Sequence, residues 1–199
     1  DQPVHLTYYQ IDDYLTCPLK YKYVNILRVP IMEHHTVIYG RAMHEAVTKY
    51  YQYNMAGKKM ELDDLLNIFE VSFDPQGFLD ENHQEERFRI GREALVHFFH
   101  REEERQPKPK FIEKDFSFIF EGNKISGRFD RVDESDEGAR IIDFKTSEVK
   151  VQATADKKAK ESLQLALYAL AYQNIFTKLP YRVELYFLES GIIGSRVIE

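Results

Sequence analysis

Two short stretches in the second half of the chain decide its reading: Gly127-Arg128-Phe129-Asp130-Arg131 and Ile141-Ile142-Asp143-Phe144-Lys145-Thr146. Each lies in a predicted strand, Lys124–Val132 and Ala139–Lys145, with an acidic loop (Asp133, Glu134, Asp136, Glu137, Gly138) between them. If the second strand returns antiparallel to the first, Asp130 and Asp143 come close to opposite each other. The two-residue period of a strand puts Asp143 and Lys145 on one face and turns Ile142 and Phe144 to the other, toward a core. Paired carboxylates repel one another unless a cation sits between them. Hard oxygen donors with room for water suit Mg²⁺ or Mn²⁺. Taken alone, Asp143-x-Lys145 also reads as an ion pair on an exposed sheet face.

Working outward, Phe111–Glu121 alternates with Phe116, Phe118 and Phe120 on one face and reads as a strand. Gly122-Asn123 forms a tight turn into the next. Downstream come a helix over Asp156–Phe176 and a strand over Tyr181–Leu188, so this half is β-β-β-α-β. The character changes near Pro107-Lys108-Pro109. Before it the pattern is helical: Tyr8–Leu15, with Thr7 and Gln10 as a capping box and a stop at Pro18; Thr36–Met55, ending at Gly57; Glu61–Phe73; and Asn82–Glu104. The predicted fold is α/β with a central mixed sheet. It forms one domain over 1–199, with a helical portion (1–106) and a sheet core (107–199).

Other residues carry chemistry. His44 sits inside the long helix one turn after Gly40; a helix-interior glycine costs about 1 kcal/mol relative to alanine and marks close packing. Gln164 and Tyr168, spaced i, i+4, share a helix face. A structural histidine and an ordinary helix surface are the other readings of these two features. His34-His35 carries no metal reading, because adjacent residues diverge on a helix.

The order Gly40-x-x-x-His44, Gly127-x-x-Asp130, Asp143-x-Lys145, Gln164-x-x-x-Tyr168 resembles the PD-(D/E)xK nuclease superfamily, in its RecB-like branch. The opening Tyr8-Tyr9-Gln10-Ile11-Asp12-Asp13-Tyr14-Leu15-Thr16-Cys17-Pro18-Leu19-Lys20-Tyr21 is similar to that branch's N-terminal segment, so the resemblance runs from about residue 6 to 188. It implies a restriction-endonuclease-like core and a metal-dependent DNA nuclease, of exonuclease type, in DNA repair, recombination or processing. The alternative is a catalytically degenerate fold that holds DNA or docks a partner in a helicase complex. It implies His44, Asp130, Asp143 and the Phe144 backbone carbonyl as ligands to Mg²⁺ or Mn²⁺. Lys145 would position the attacking water, and Gln164 and Tyr168 would orient that lysine or touch the DNA backbone. Glu113, on the first strand, would support a metal ligand or hold a second metal, or be simply a strand-surface acid. Phe129 stands where many members have proline, a variation the branch tolerates. Some relatives carry an iron–sulfur cluster on one cysteine near position 17 and three after the last strand. Nothing after Phe176 is cysteine here, so no such cluster is expected and Cys17 should be a buried small hydrophobe.

At 43% apolar and 30% charged, the 199-residue chain is of globular composition. Its net charge of −6 (27 Lys+Arg, 33 Asp+Glu) argues, by itself, against nucleic acid. Placement reverses this. Between Tyr14 and Met32 there are Lys20, Lys22 and Arg28, interleaved with Tyr21 and Tyr23, and no acid. Lys20, Lys22, Tyr21 and Arg128, which shares the face of Asp130, are the predicted DNA contacts. Any motor activity would come from a helicase subunit or domain, since no Gly-x-x-x-x-Gly-Lys-Ser/Thr loop is present. The single cysteine suggests a reducing, cytoplasmic setting. No apolar run nears the roughly 18 residues of a membrane span, so no membrane association is expected. The chain opens on Asp1 rather than Met, as a processed or excised fragment would.

Overall fold

The computed structural model describes residues 4–31, 33–78 and 80–198, and Asp1 lies outside them. A long strand organises the sheet. It is β3 (Asn123–Ser135), which pairs antiparallel along one whole edge with β2 (Pro109–Phe120). The turn between them centres on Glu121 and Gly122, both with positive φ (47° and 78°), as a two-residue hairpin of matching twist requires. It falls one residue earlier than expected because Asn123 already pairs with Phe120.

Two strands share the other edge of β3. β1 (His5–Thr7) runs parallel to residues 124–126, and β4 (Gly138–Lys145) runs antiparallel to residues 131–135. Between them, residues 127–130 have no strand partner on that edge among the described residues, which leaves a notch in the sheet. β5 (Arg182–Phe187) lies parallel to β4, and β6 (Ile193–Val197) closes the far side antiparallel to β5. The mixed sheet is the one anticipated; β1 and β6 are additions. Neither announces itself in sequence, since one has three residues and the other carries Gly194 within five.

Helices cover both faces. α3 (His35–Met55), α4 (Leu62–Ser72) and α5 (Glu81–Arg105) pack on one face, where Met43, Val47, Tyr51 and Phe98 meet Phe144 and Tyr186. Burying an aromatic side chain of this size contributes about 1.5–3 kcal/mol. Gly40 packs closely, as expected: a Cβ there would lie 3.3 Å from the Thr146 hydroxyl. On the other face, α6 (Gln152–Glu161) and α7 (Leu163–Phe176) cover Phe129, Ile141, Val183 and Phe187. The single helix expected over 156–176 is broken at Ser162. That residue is extended (ψ 112°), and its hydroxyl accepts from Leu165 N at 3.2 Å, capping α7 afresh.

α1 (Tyr8–Thr16) starts at the Thr7/Gln10 capping box, with both reciprocal hydrogen bonds in place. It is followed by α2 (Pro18–Tyr21) and a π-helical turn (Lys22–Ile26), and none of the three buries a residue. Cys17 is exposed rather than buried: Tyr8 and Ile11 at the start of α1 pack against the core, and Cys17, beyond them, lies on the surface. Among the described residues no helix is long and apolar enough to cross a membrane.

Candidate active site

The notch in β3 opens into a cleft of about 770 Å³, lined by Tyr8, Tyr9, His44, Glu113, Asp130 and Gln164 among others. The register that pairs Arg131 with Ile142 brings Asp130 and Asp143 to the next rung, where the ladder stops. There the Phe144 backbone N–H donates to Asp130 Oδ2 (2.9 Å). A side chain has taken the place of a ladder acceptor, and the two strands part.

Asp143 is 2% exposed and faces α7. Its Oδ1 accepts from Gln164 Nε2 (2.8 Å) and the Tyr168 hydroxyl (3.3 Å). Its Oδ2 meets the Lys145 ammonium at 2.6 Å but has no well-aligned hydrogen-bond donor among the described residues. Lys145 also donates to Gln164 Oε1 (2.7 Å), and Gln164 Nε2 to the Tyr168 hydroxyl (3.0 Å). One amide thus holds the acid, the lysine and the phenol together, with Gln164 and Tyr168 on one buried face of α7. Burial alone would lower Lys145, but the adjacent Asp143 outweighs it and holds the ammonium above its usual range. Burial, then the Asp143 and Asp130 charges, push Tyr168 well up, so it stays a neutral donor.

On the α3 side, the Nε2 of His44 bonds the Phe144 carbonyl at 2.9 Å. A carbonyl only accepts, so Nε2 carries the hydrogen, and Nδ1 faces Asp130 Oδ2 at 3.9 Å. Asp130 is raised well above an ordinary carboxylate by burial and then by Asp143. His44, Glu113 and Asp130 each offer a ligand atom within 4.8 Å of the others. Glu113 arrives there by an unusual backbone. Its φ is +52°, rare for a non-glycine strand residue, and the register on either side sets it opposite Asp130. Thr48 and Arg128 donate to its two oxygens (3.3 and 3.1 Å).

These residues fit a divalent cation. Two carboxylates facing each other and a histidine fixed through its second nitrogen are what a hard-metal site presents. The clustered set differs from the expected one in composition. Glu113 is in it, Asp143 is turned to Lys145, and the Phe144 carbonyl receives His44.

The predicted DNA contacts fare differently. Arg128 lines the cleft, but its guanidinium is held by Glu113 (3.1 Å) and Asp115 (2.6 Å). Lys20 is paired with Asp13 (2.6 Å), Tyr21 sits edge-on to Tyr14, and neither they nor Lys22 line the cleft. Tyr8 and Tyr9 line it instead, Tyr9 being 71% exposed. Neither was expected there, because the parallel pairing of β1 that sets them at the notch has no local signature.

A splayed mixed sheet presenting acids, a lysine and a histidine defines the class: a metal-dependent nuclease of restriction-endonuclease-like fold. The family model for the PD-(D/E)XK nuclease superfamily matches residues 5–196, and the chain belongs to that superfamily. A search of curated proteins finds no match.

Proposed function

We propose that the chain is a deoxyribonuclease of the RecB-like branch that uses Mg²⁺ or Mn²⁺ and hydrolyses DNA from its ends in repair, recombination or related processing. The observation that carries the reading is the Asp143–Lys145–Gln164–Tyr168 network beside the His44, Glu113 and Asp130 cluster. His44, Asp130 and Glu113, with Asp143 beside them, are the residues that hold the cation. When bound, it supplies a water of lowered pKa and positive charge at the scissile phosphate. Lys145 adds a fixed positive charge and orients the attacking water, kept ionised by Asp143. Gln164 sets the lysine's position, and the Phe144 carbonyl fixes the His44 ring. Tyr9 offers an open face on which a base at the cleft mouth stacks.

A helicase subunit or domain is the partner proposed, in a cytoplasmic setting. The exposed Leu15, Leu19, Ile26 and Leu27 of the N-terminal arm provide an apolar surface for it.

The test is cleavage of 5′- and 3′-labelled oligonucleotides with Mg²⁺ and with Mn²⁺. EDTA, Asp143→Ala and Lys145→Ala should each abolish cutting, and the label released first reports polarity. Equal cleavage by folded Asp143→Ala would remove the reading. DNA affinity without any divalent-metal binding would favour a DNA-holding module instead.

A further inference from the structure

A second cavity, of about 500 Å³, lies on the α3–α5 face at the opposite end of β4 from Lys145, and none of its lining residues lines the catalytic cleft. Two buried glutamates build it. Glu102, 1% exposed, lies between Arg131 (3.5 Å) and Arg105 (3.6 Å). Glu184, 4% exposed, lies between Arg140 (3.2 Å) and Arg182 (3.8 Å).

The carboxylates at its floor are already satisfied. Tyr51 and Tyr186 donate to the two oxygens of Glu102 (2.8 and 3.1 Å). Asp133 is taken by two hydrogen bonds from Arg131 (2.7 and 2.5 Å). The guanidinium groups at the mouth are satisfied only in part. Among the described residues, Arg105 makes only the long contact to Glu102; Arg140 donates to Glu184 (3.2 Å) and Arg182 to the Tyr181 hydroxyl (3.2 Å), but the Nε–H groups of both are closed off from solvent with no acceptor. A buried donor without an acceptor is destabilising, so Arg140 and Arg182 gain by turning toward one. Four guanidiniums face three carboxylates, and the excess charge lies on the solvent side. Glu102 and Glu184 are sealed beneath, while the Arg105, Arg140 and Arg182 side chains keep a third to a half of their surface open above.

We propose that this cavity is an oxyanion site that takes a phosphoryl group, recognised by Arg105, Arg140 and Arg182. Planar guanidinium forks suit a tetrahedral oxyanion through paired hydrogen bonds. The group comes either from a free 5′-mononucleotide or from the DNA backbone.

The experiment uses the full chain in EDTA and inorganic phosphate as the probe, followed by phosphorus NMR. Saturable binding to one site is expected, with a dissociation constant of about 1 mM. Arg105→Gln leaves Glu102 with Arg131, Tyr51 and Tyr186 and should keep its fold while weakening binding about tenfold, the loss expected for one charged hydrogen bond. Arg182→Gln should act in the same direction, whereas Lys145→Gln should leave phosphate binding unchanged. Displacement by dAMP assigns the site to free mononucleotide; displacement by an oligonucleotide without terminal phosphates assigns it to the backbone. Absence of saturable binding overturns the proposal. So does binding that is the same in wild type, Arg105→Gln and folded Arg182→Gln, or that is lost in Lys145→Gln.

Discussion

Replacing Gln164 with leucine tests the catalytic network at its joint. The side chain is 4% exposed and makes three hydrogen bonds: to the Lys145 ammonium (2.7 Å), the Asp143 carboxylate (2.8 Å) and the Tyr168 hydroxyl (3.0 Å). Leucine keeps the volume and removes all three. Two of them involve a charged partner, each worth about 1.5–3 kcal/mol. Asp143 retains Tyr168 (3.3 Å) and Lys145 (2.6 Å), so the lower end of the sum applies. Positioning of Lys145 that is worth about 3 kcal/mol more in the transition state than in the ground state corresponds to a rate drop on the order of 10²-fold. The assay is single-turnover cleavage of end-labelled DNA with Mn²⁺, alongside thermal unfolding of the same protein. The unfolding cost should be about 1–3 kcal/mol, the penalty for leaving Asp143 and Lys145 less satisfied. A folded Gln164→Leu protein that cleaves within about threefold of wild type would refute the positioning role, since the change would then be worth well under 1 kcal/mol.

Mg²⁺ or Mn²⁺ should stabilise the fold, because a cation offsets the loss of hydration that burial imposes on the Asp130 carboxylate and the repulsion from Asp143. At a hundredfold excess over its dissociation constant the gain is about 2.7 kcal/mol, a rise of roughly 5–10 °C in midpoint that EDTA reverses. Scanning calorimetry should show most of that rise lost in His44→Ala and Glu113→Gln; an undiminished rise in both would place the metal elsewhere. Tyr9→Ala should raise KM on single-stranded DNA about tenfold with little change in kcat, while Tyr9→Phe, which keeps the ring, should match wild type. Gly194→Ala should destabilise by about 3 kcal/mol or more in urea unfolding, because its Cβ would fall 2.1 Å from the Ala155 carbonyl oxygen of α6 and neither backbone can yield.

Features that depend on neighbours in the chain are legible in the sequence. Strand period alone places Asp143 and Lys145 together and sends Phe144 to the opposite core. Thr7 and Gln10 mark a helix start that forms as written, and the i, i+4 spacing of Gln164 and Tyr168 puts both on one buried face of α7. The break at Ser162 has a local signal too, a good N-cap residue at the point where the charged run of α6 gives way to the apolar run of α7.

Pairings between residues far apart in sequence require the tertiary structure. Nothing local says that three residues at the start of the chain lie parallel to 124–126, yet that pairing and the parting of β4 from β3 create the notch. Glu113 enters the site through a left-handed backbone conformation that a strand pattern gives no reason to expect. Lys20 and Arg128 look like free cations in the sequence, but folding sets Asp13, Glu113 and Asp115 beside them. The four arginines of the second cavity are scattered over 105–182 and converge only because β3, β4, β5 and the end of α5 lie side by side. Periodicity and capping act over a few residues, so the sequence by itself determined the elements, their faces and the order of the motifs. Charge pairing and cavity shape arise from chain segments brought together by packing, so only the folded chain decided which charged groups are already paired and which stand open to a ligand.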